Sequence, residues 1–273
     1  MTVVERTEFL DASPAEGLAA LLDLPVPDLD LGLPLLWHTV YLLDRPRQDL
    51  LGPDGHPVEG AMPSPPGPGL RRMFAGGRVR TSGALRCGEP ATRRTRVVGT
   101  AEKSGRTGPL TFVTVAHEII QRGTLVIREE QDIVYRPPAA GADRPPAEAL
   151  EPTPPSASDW RVRPTPTLLF RYSALTYNAH RIHYDRDFVR DIEGYPGLVV
   201  HGPLQALLMA EAARHTSDGV AGGQAFEYRL LAPLFDGSPL TVHVAQESDD
   251  RVTSVQDASG RQTAMGRLSG VAT

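Results

Sequence analysis

A proline-rich stretch near the middle of the chain, PPAAGADRPPAEALEPTPPSASD at residues 137–159, most constrains the fold, because it cannot itself belong to a packed core. It has almost no aromatic or β-branched side chains, so its burial would not offset the entropy of ordering it. It reads as a linker between a first half, residues 1–136, and a second half, residues 160–273. A smaller proline cluster, Pro63 to Pro68, punctuates the first half.

On either side of the linker the same order recurs, helical material followed by long strands. In the first half Leu18, Leu21 and Leu22 fall at helical spacing over Pro14–Leu24, with Ser13 placed to cap, and a second apolar patch runs from Leu35 to Leu43. Strands are predicted over Gly77–Leu85, Thr92–Lys103, Leu110–Arg122 and Thr124–Tyr135, separated by turn signals such as Ser104-Gly105 and Arg122-Gly123. In the second half the spacing of Leu204, Leu207, Leu208 and Ala212 predicts a helix over Pro203–Arg214. Strands follow at Ala225–Leu231, Leu240–Gln246, Arg251–Asp257 and Gln262–Leu268, with turns at Asp236-Gly237 and Ser259-Gly260. Long antiparallel strands need one face covered, and a helix laid across them does so efficiently. Periodicity therefore gives an α+β protein, in which two such units could join edge to edge into one sheet.

Composition narrows the function. At 273 residues the chain can bury a substantial core, and its formal net charge of -5 provides no general attraction for nucleic acid. The single cysteine, Cys87, excludes an intramolecular disulfide framework and a cysteine-based zinc cluster, which favours a reducing compartment. The N-terminus lacks the apolar run of a signal peptide, and Leu33–Leu43, interrupted by Pro34 and His38, is about half the length of a membrane span. A cytoplasmic protein with no membrane partner is expected.

The chemistry concentrates in FRYSALTYNAHRIHYD, residues 170–185, which carries two histidines, an asparagine, two arginines and an aspartate. Thr167, Leu168, Leu169, Phe170 and Tyr172, after Pro164-Thr165-Pro166, predict a buried strand, so the polar residues fall on the loop behind it. The spacing His180-x-x-His183 is too small a ligand set to argue for a metal. His38, His56, His117 and His243 are read as structural. Asp185 is placed to cap a short helix beginning near Arg186.

The stretch YSALTYNAHRIHYD resembles, without a gap, the signature of the MaoC-like, hydratase-2 class of hotdog enzymes, an aromatic and small-residue run before Gly-Asp-x-Asn-Pro-x-His-x-Asp. On that pattern Tyr177 stands for the glycine, Asn178 for the aspartate, His180 for the asparagine and Arg181 for the proline, while His183 and Asp185 match their own kind. The run EGYPGLVVHGPLQALLM also resembles the family. Together with WHTVYLLDRP, LGPDGHP, RRMFAGGRV and HEIIQRGTLVIREEQDIVYR, these segments resemble the double-hotdog subgroup that contains mesaconyl-CoA and itaconyl-CoA hydratases and the type 2 hydroxyacyl-thioester dehydratases.

The resemblance implies a double hotdog, two antiparallel sheets each wrapping a helix and joined in one chain. It also implies reversible addition of water to a 2-enoyl thioester of coenzyme A or acyl carrier protein, with the thiol carrier as part of the substrate and no separate cofactor. His183 is the expected acid/base group and the Gly202 N–H the expected donor to the thioester oxygen. Asn178 cannot be a general base, which leaves three readings: His183 acts alone while Asn178 orients the water, His180 takes the missing role, or hydration has been lost. A retained reaction with a changed catalytic pair is favoured. Tyr177 and Arg181 are further substrate-binding candidates, Arg181 either gripping a free carboxylate or pinning the loop through Asp185 or Glu193. Arg71, Arg72 and Arg78, flanking a Gly-rich segment read as a loop, are candidates for the coenzyme A phosphates. A homodimer is the assembly the resemblance implies.

Overall fold

The computed structural model describes residues 3–60, 70–105, 108–137, 159–215 and 223–271. The interior of the linker and the Pro63–Pro68 cluster lie outside the described residues. Ten strands form one antiparallel sheet in the order β1-β3-β4-β5-β2-β7-β10-β9-β8-β6. The first half supplies β1 (Val4–Phe9), β2 (Arg71–Thr81), β3 (Pro90–Gly105), β4 (Gly108–Gln121) and β5 (Thr124–Arg136). The second supplies β6 (Trp160–Val162), β7 (Gly223–Leu230), β8 (Leu240–Glu247), β9 (Asp250–Gln256) and β10 (Gln262–Val271). Each strand predicted on either side of the linker is present, extended or trimmed at its ends, except the one expected over Thr167–Tyr172. The two edge strands β1 and β6 escaped the sequence pattern, because β1 alternates charged residues with little burial and β6 has only three residues.

The seam between the halves is β2 against β7, paired from Gly76↔Arg229 to Thr81↔Gln224. The Gly-rich segment is therefore not a loop: Gly76 and Gly77 lie within β2, where the β5 register shifts between Phe74 and Gly76. A Cβ on Gly76 would stand 2.4 Å from the Tyr228 carbonyl oxygen, so only glycine permits this approach of β7.

Among the described residues there are three α-helices, α1 (Ser13–Leu21), α2 (Pro166–Leu175) and α3 (Gly202–His215); α3 lies across the sheet, while α1 and α2 pack against each other. α3 is buried along almost its whole length, from Leu204 to Ala213, and packs on β7 to β10 and on β2. Its buried Glu211 accepts from Trp37 Nε1 at 2.6 Å, which ties the helix to the first half. The patch Leu35–Leu43 forms only a 3-10 turn, Trp37–Val40, flanked by Leu36 and Leu42 in left-handed backbone. Ser13 starts α1 without capping it: the N-cap is Ala12, and the Ser13 hydroxyl and N–H both turn back to Asp11 Oδ1.

The run Thr167–Tyr172, expected to be a strand, belongs to α2. Its signal is local: the Thr165 hydroxyl accepts from Leu168 N at 3.1 Å as an N-cap, Pro166 occupies the first turn, and Leu169, Tyr172 and Ser173 form the buried stripe. Aromatic content alone suggested a strand, and capping decided otherwise.

Candidate active site

The polar motif starts where α2 ends. Tyr177 has φ +52°, in the left-handed region, at the position where the family pattern has glycine; its side chain is exposed. Asn178 closes an Asx turn, its Oδ1 accepting from His180 N at 2.9 Å. Asp185 accepts from Phe188 N at 3.0 Å and so caps the π-helical turn Phe188–Ile192. Of the two roles open to Arg181, the structure shows the pin. Its Nε and one terminal nitrogen donate to Asp185 Oδ2 at 3.0 and 2.8 Å, the other donates to the Pro53 carbonyl at 2.9 Å, and the guanidinium sits 4.2 Å over the Phe188 ring. Those bonds hold the guanidinium in the loop.

Four imidazoles run in sequence through this region. His201 stacks on His183 at 3.6 Å between centroids, His183 meets His180 edge-on at 5.3 Å, and His180 lies 3.9 Å from His56. His183 Nδ1 is 2.7 Å from the Val199 carbonyl, which accepts only if that nitrogen carries the proton, so the neutral ring presents its lone pair at Nε2. The carbonyl is fixed because Val199 N donates to Ile182 O at 2.9 Å. Burial pushes the His183 imidazole down to about 4, against the opposing effect of the Val199 bond. Burial likewise holds His180 and His201 well below the ordinary histidine range. His201 is fully buried with Nε2 2.9 Å from Ser173 Oγ, so it supports the site from beneath.

His56 was expected to be a structural histidine and stands instead in the site. It arrives on the loop LGPDGHP, residues 51–57, from the first half. Its Nδ1 is 2.9 Å from Asp54 Oδ2, and its backbone N–H donates to Asp54 Oδ1 at 3.0 Å. The loop lies directly on the motif: Arg181 N donates to the Asp54 carbonyl at 2.9 Å, and a Cβ on Gly55, which has φ +87°, would fall 1.9 Å from the Ala179 carbonyl oxygen. Burial lowers His56, partly opposed by the bond to Asp54. Burial alone would raise Asp54, but its bond to His56 and the charges of His56 and Arg72 hold it below the usual carboxylate range. The ligand atoms of Asp54, His56 and His180 all lie within 4.8 Å of one another, a set able to accept a cation. No spacing rule could have joined residues 54–56 to 178–183, because their proximity is created by tertiary docking.

Gly202 opens α3 directly after His201. As the first helical residue its N–H has no acceptor within the helix, and the helix dipole favours negative charge there. A Cβ on Gly202 would lie 2.1 Å from Leu230 Cδ1 and 3.1 Å from Phe74 Cδ1, so a bare backbone is needed. The three arginines do not act together. Arg71 pairs with Glu193 at 3.0 Å, and Arg78 pairs with both Glu130 and Asp132. Arg72 donates to the Tyr135 hydroxyl at 3.2 Å, and its charge bears on Asp54, His56 and His180.

His38, His117 and His243 make their contacts elsewhere, and the buried Nδ1 of His38 has no hydrogen-bond partner among the described residues. His38 Nε2 lies 3.0 Å from buried Glu129, His117 Nδ1 2.8 Å from Thr95 Oγ1, and His243 Nδ1 2.9 Å from Asp159. The first two border a cavity of about 90 Å³ in the first half.

Comparison with known proteins gives the family and the fold. The chain is 48% identical to a mesaconyl-C(4)-CoA hydratase of Chloroflexus aurantiacus over 92% of its own length and 90% of that protein's. It is 38% identical to the mitochondrial hydroxyacyl-thioester dehydratase type 2 of Schizosaccharomyces pombe, over 36% of this chain and 34% of that one. Among solved structures, HtdX of Mycobacterium tuberculosis superposes with a TM-score of 0.69 at 15% identity, over 99% of this chain and all of the other. A MaoC-like dehydratase of Phytophthora capsici gives 0.70 at 14% identity, over 100% of this chain and 96% of that one, and an M. tuberculosis protein with a double hotdog fold gives 0.55 at 17%, over 99% and 95%. These likenesses establish the fold as a double hotdog. With residues 36–236 also matching the family model for hydroxyacyl-thioester dehydratase type 2, the chain belongs to that family.

Proposed function

We propose that this protein is a hydro-lyase that adds water reversibly to the double bond of a 2-enoyl-CoA, giving a 3-hydroxyacyl-CoA. The observation that carries this reading is that His183, with its Nδ1 proton committed to Val199, stacks on His201, the residue directly before Gly202, whose N–H opens α3. The first offers an Nε2 lone pair to bind water or take its proton, and the second stabilises the enolate-like thioester oxygen. Asn178, spent on its Asx turn, orients the loop that carries the imidazoles.

A dicarboxylic monothioester of the mesaconyl type fits the site as substrate. Arg72, whose Nε donates to the Tyr135 hydroxyl and whose charge acts on Asp54, His56 and His180, is the group we assign to the free carboxylate. An acyl carrier protein in place of coenzyme A, a homodimeric assembly and a cytoplasmic location belong to the same proposal. Among the described residues no helix is long and apolar enough to cross a membrane.

Incubation with crotonyl-, mesaconyl- and itaconyl-CoA tests the reaction. Loss of enoyl absorbance without release of thiol is expected, and thiol release alone would point to a thioesterase. In the same panel Arg72→Gln should depress kcat/KM for mesaconyl-CoA on the order of 10-fold or more relative to crotonyl-CoA.

A further inference from the structure

The family motif carries a carboxylate where this chain has Asn178, and the structure brings a different carboxylate to the same histidines. Asp54 and His56 come from the half of the chain without the motif. They are held there by the Arg181 bonds to the Asp54 and Pro53 carbonyls and by the contact of Gly55 with Ala179. The His56 ring lies against His180, and 21% of its side chain remains exposed, whereas His183 and His201 are 6% and 0% exposed as residues. Of the four neighbouring imidazoles His56 is the most exposed.

Geometry also separates the two imidazoles as proton acceptors. Protonating His183 would leave a buried cation hydrogen-bonded to a neutral carbonyl. Protonating His56 would produce an imidazolium whose Nδ1–H already faces a carboxylate at 2.9 Å, the arrangement that stabilises the charge formed in His–Asp pairs generally. The second is the less costly place for the proton.

We propose that His56, oriented by Asp54, is the acid/base residue of the hydration reaction, with His183 holding the water. This rests on the hydratase reading above. In the forward step the water oxygen bonds to the β-carbon as its proton passes to His56 Nε2. The double-bond pair moves through the α-carbon onto the thioester oxygen, facing the Gly202 N–H. The enolate then collapses, the α-carbon takes the proton back from His56 Nε2, and the imidazole is neutral again. Hydrogen and hydroxyl are added with no other reactant. Asp54 acts through His56 and is a positioning residue.

Rates of hydration of crotonyl- and mesaconyl-CoA by the wild type, His56→Gln and Asp54→Asn, with pH profiles and thermal melts, test the proposal. His56→Gln should lower kcat about 10²- to 10⁴-fold with KM within about threefold. Asp54→Asn should lower kcat and move the acidic limb of kcat/KM to lower pH, because the imidazolium loses its carboxylate; a merely structural role would leave that limb in place. A His56→Gln enzyme within about threefold of wild-type kcat, or an unmoved limb in Asp54→Asn, overturns the dyad while leaving the hydratase reading intact. A wild type that consumes no enoyl thioester overturns both. Loss of wild-type activity on chelation, restored by zinc, overturns the dyad in favour of a metal on Asp54, His56 and His180.

Discussion

Gly202 shows how much a single position can demand. Its missing side chain leaves space taken up by Leu230 and Phe74, and its N–H is the donor proposed for the thioester oxygen. Gly202→Ala is expected to push Leu230 and Phe74 aside and lower kcat/KM on the order of 10²-fold, while the thermal midpoint falls only a few degrees; steady-state kinetics beside calorimetry would separate the two effects. At this scale the sequence was partly readable. The motif positions Asn178, His180 and His183 announced themselves by their density of polar groups, and Asp185 by its capping offset. Arg181 offered two partners of equal merit on paper, and only the packed loop shows it against Asp185 and Pro53. His56 gave no signal of its own, since an isolated histidine in a turn looks the same whether or not another loop lies on it.

Among the elements, α2 carries the motif and its start fixes where the motif falls. The Thr165 cap is therefore worth testing: Thr165→Ala should cost about 1 kcal/mol, read as a lower urea midpoint with an unchanged m-value. The strands were legible because strand-like segments such as those of β4 and β5 are long and separated by turn signals such as Arg122-Gly123. The segment Thr167–Tyr172 misled because aromatic and β-branched composition is shared by strands and buried helices, whereas the Thr-Pro start is a helix signal. The 3-10 turn at Trp37 is a different case. Its apolar run suggested a helix, but the left-handed backbone at Leu36 and Leu42 and the bond from Trp37 to Glu211 are set by the helix of the other half.

For the whole molecule, burying so many neutral imidazoles links stability to pH. His183, with a native value of about 4 against an ordinary value of 6.5, binds its proton less readily when folded than when unfolded. Between those two values the unfolded chain holds more protons, so stability must fall as pH drops from about 6.5 to about 4, and this group contributes nothing further outside that window. The shift amounts to about 3 kcal/mol for His183, with His56, His180 and His201 adding in the same direction. Glu129, at about 2, contributes a second loss at lower pH, from about 4.5 downward. Thermal midpoints measured from pH 7.5 to 4 should decline through the first window, and His183→Asn should flatten that decline relative to its own midpoint at pH 7.5.

The β2–β7 seam has one more consequence. In an assembly of two identical single hotdogs, every substitution is made twice, and a loop reshaped to serve its neighbour's histidines must be tolerated in both copies. Here the strands that meet at Gly77 and Tyr228 belong to two different sequences within one polypeptide. One side carries the motif and the buried helix α3, and the other contributes the Asp54–His56 loop. Covalent joining has turned a symmetric pair into a division of labour.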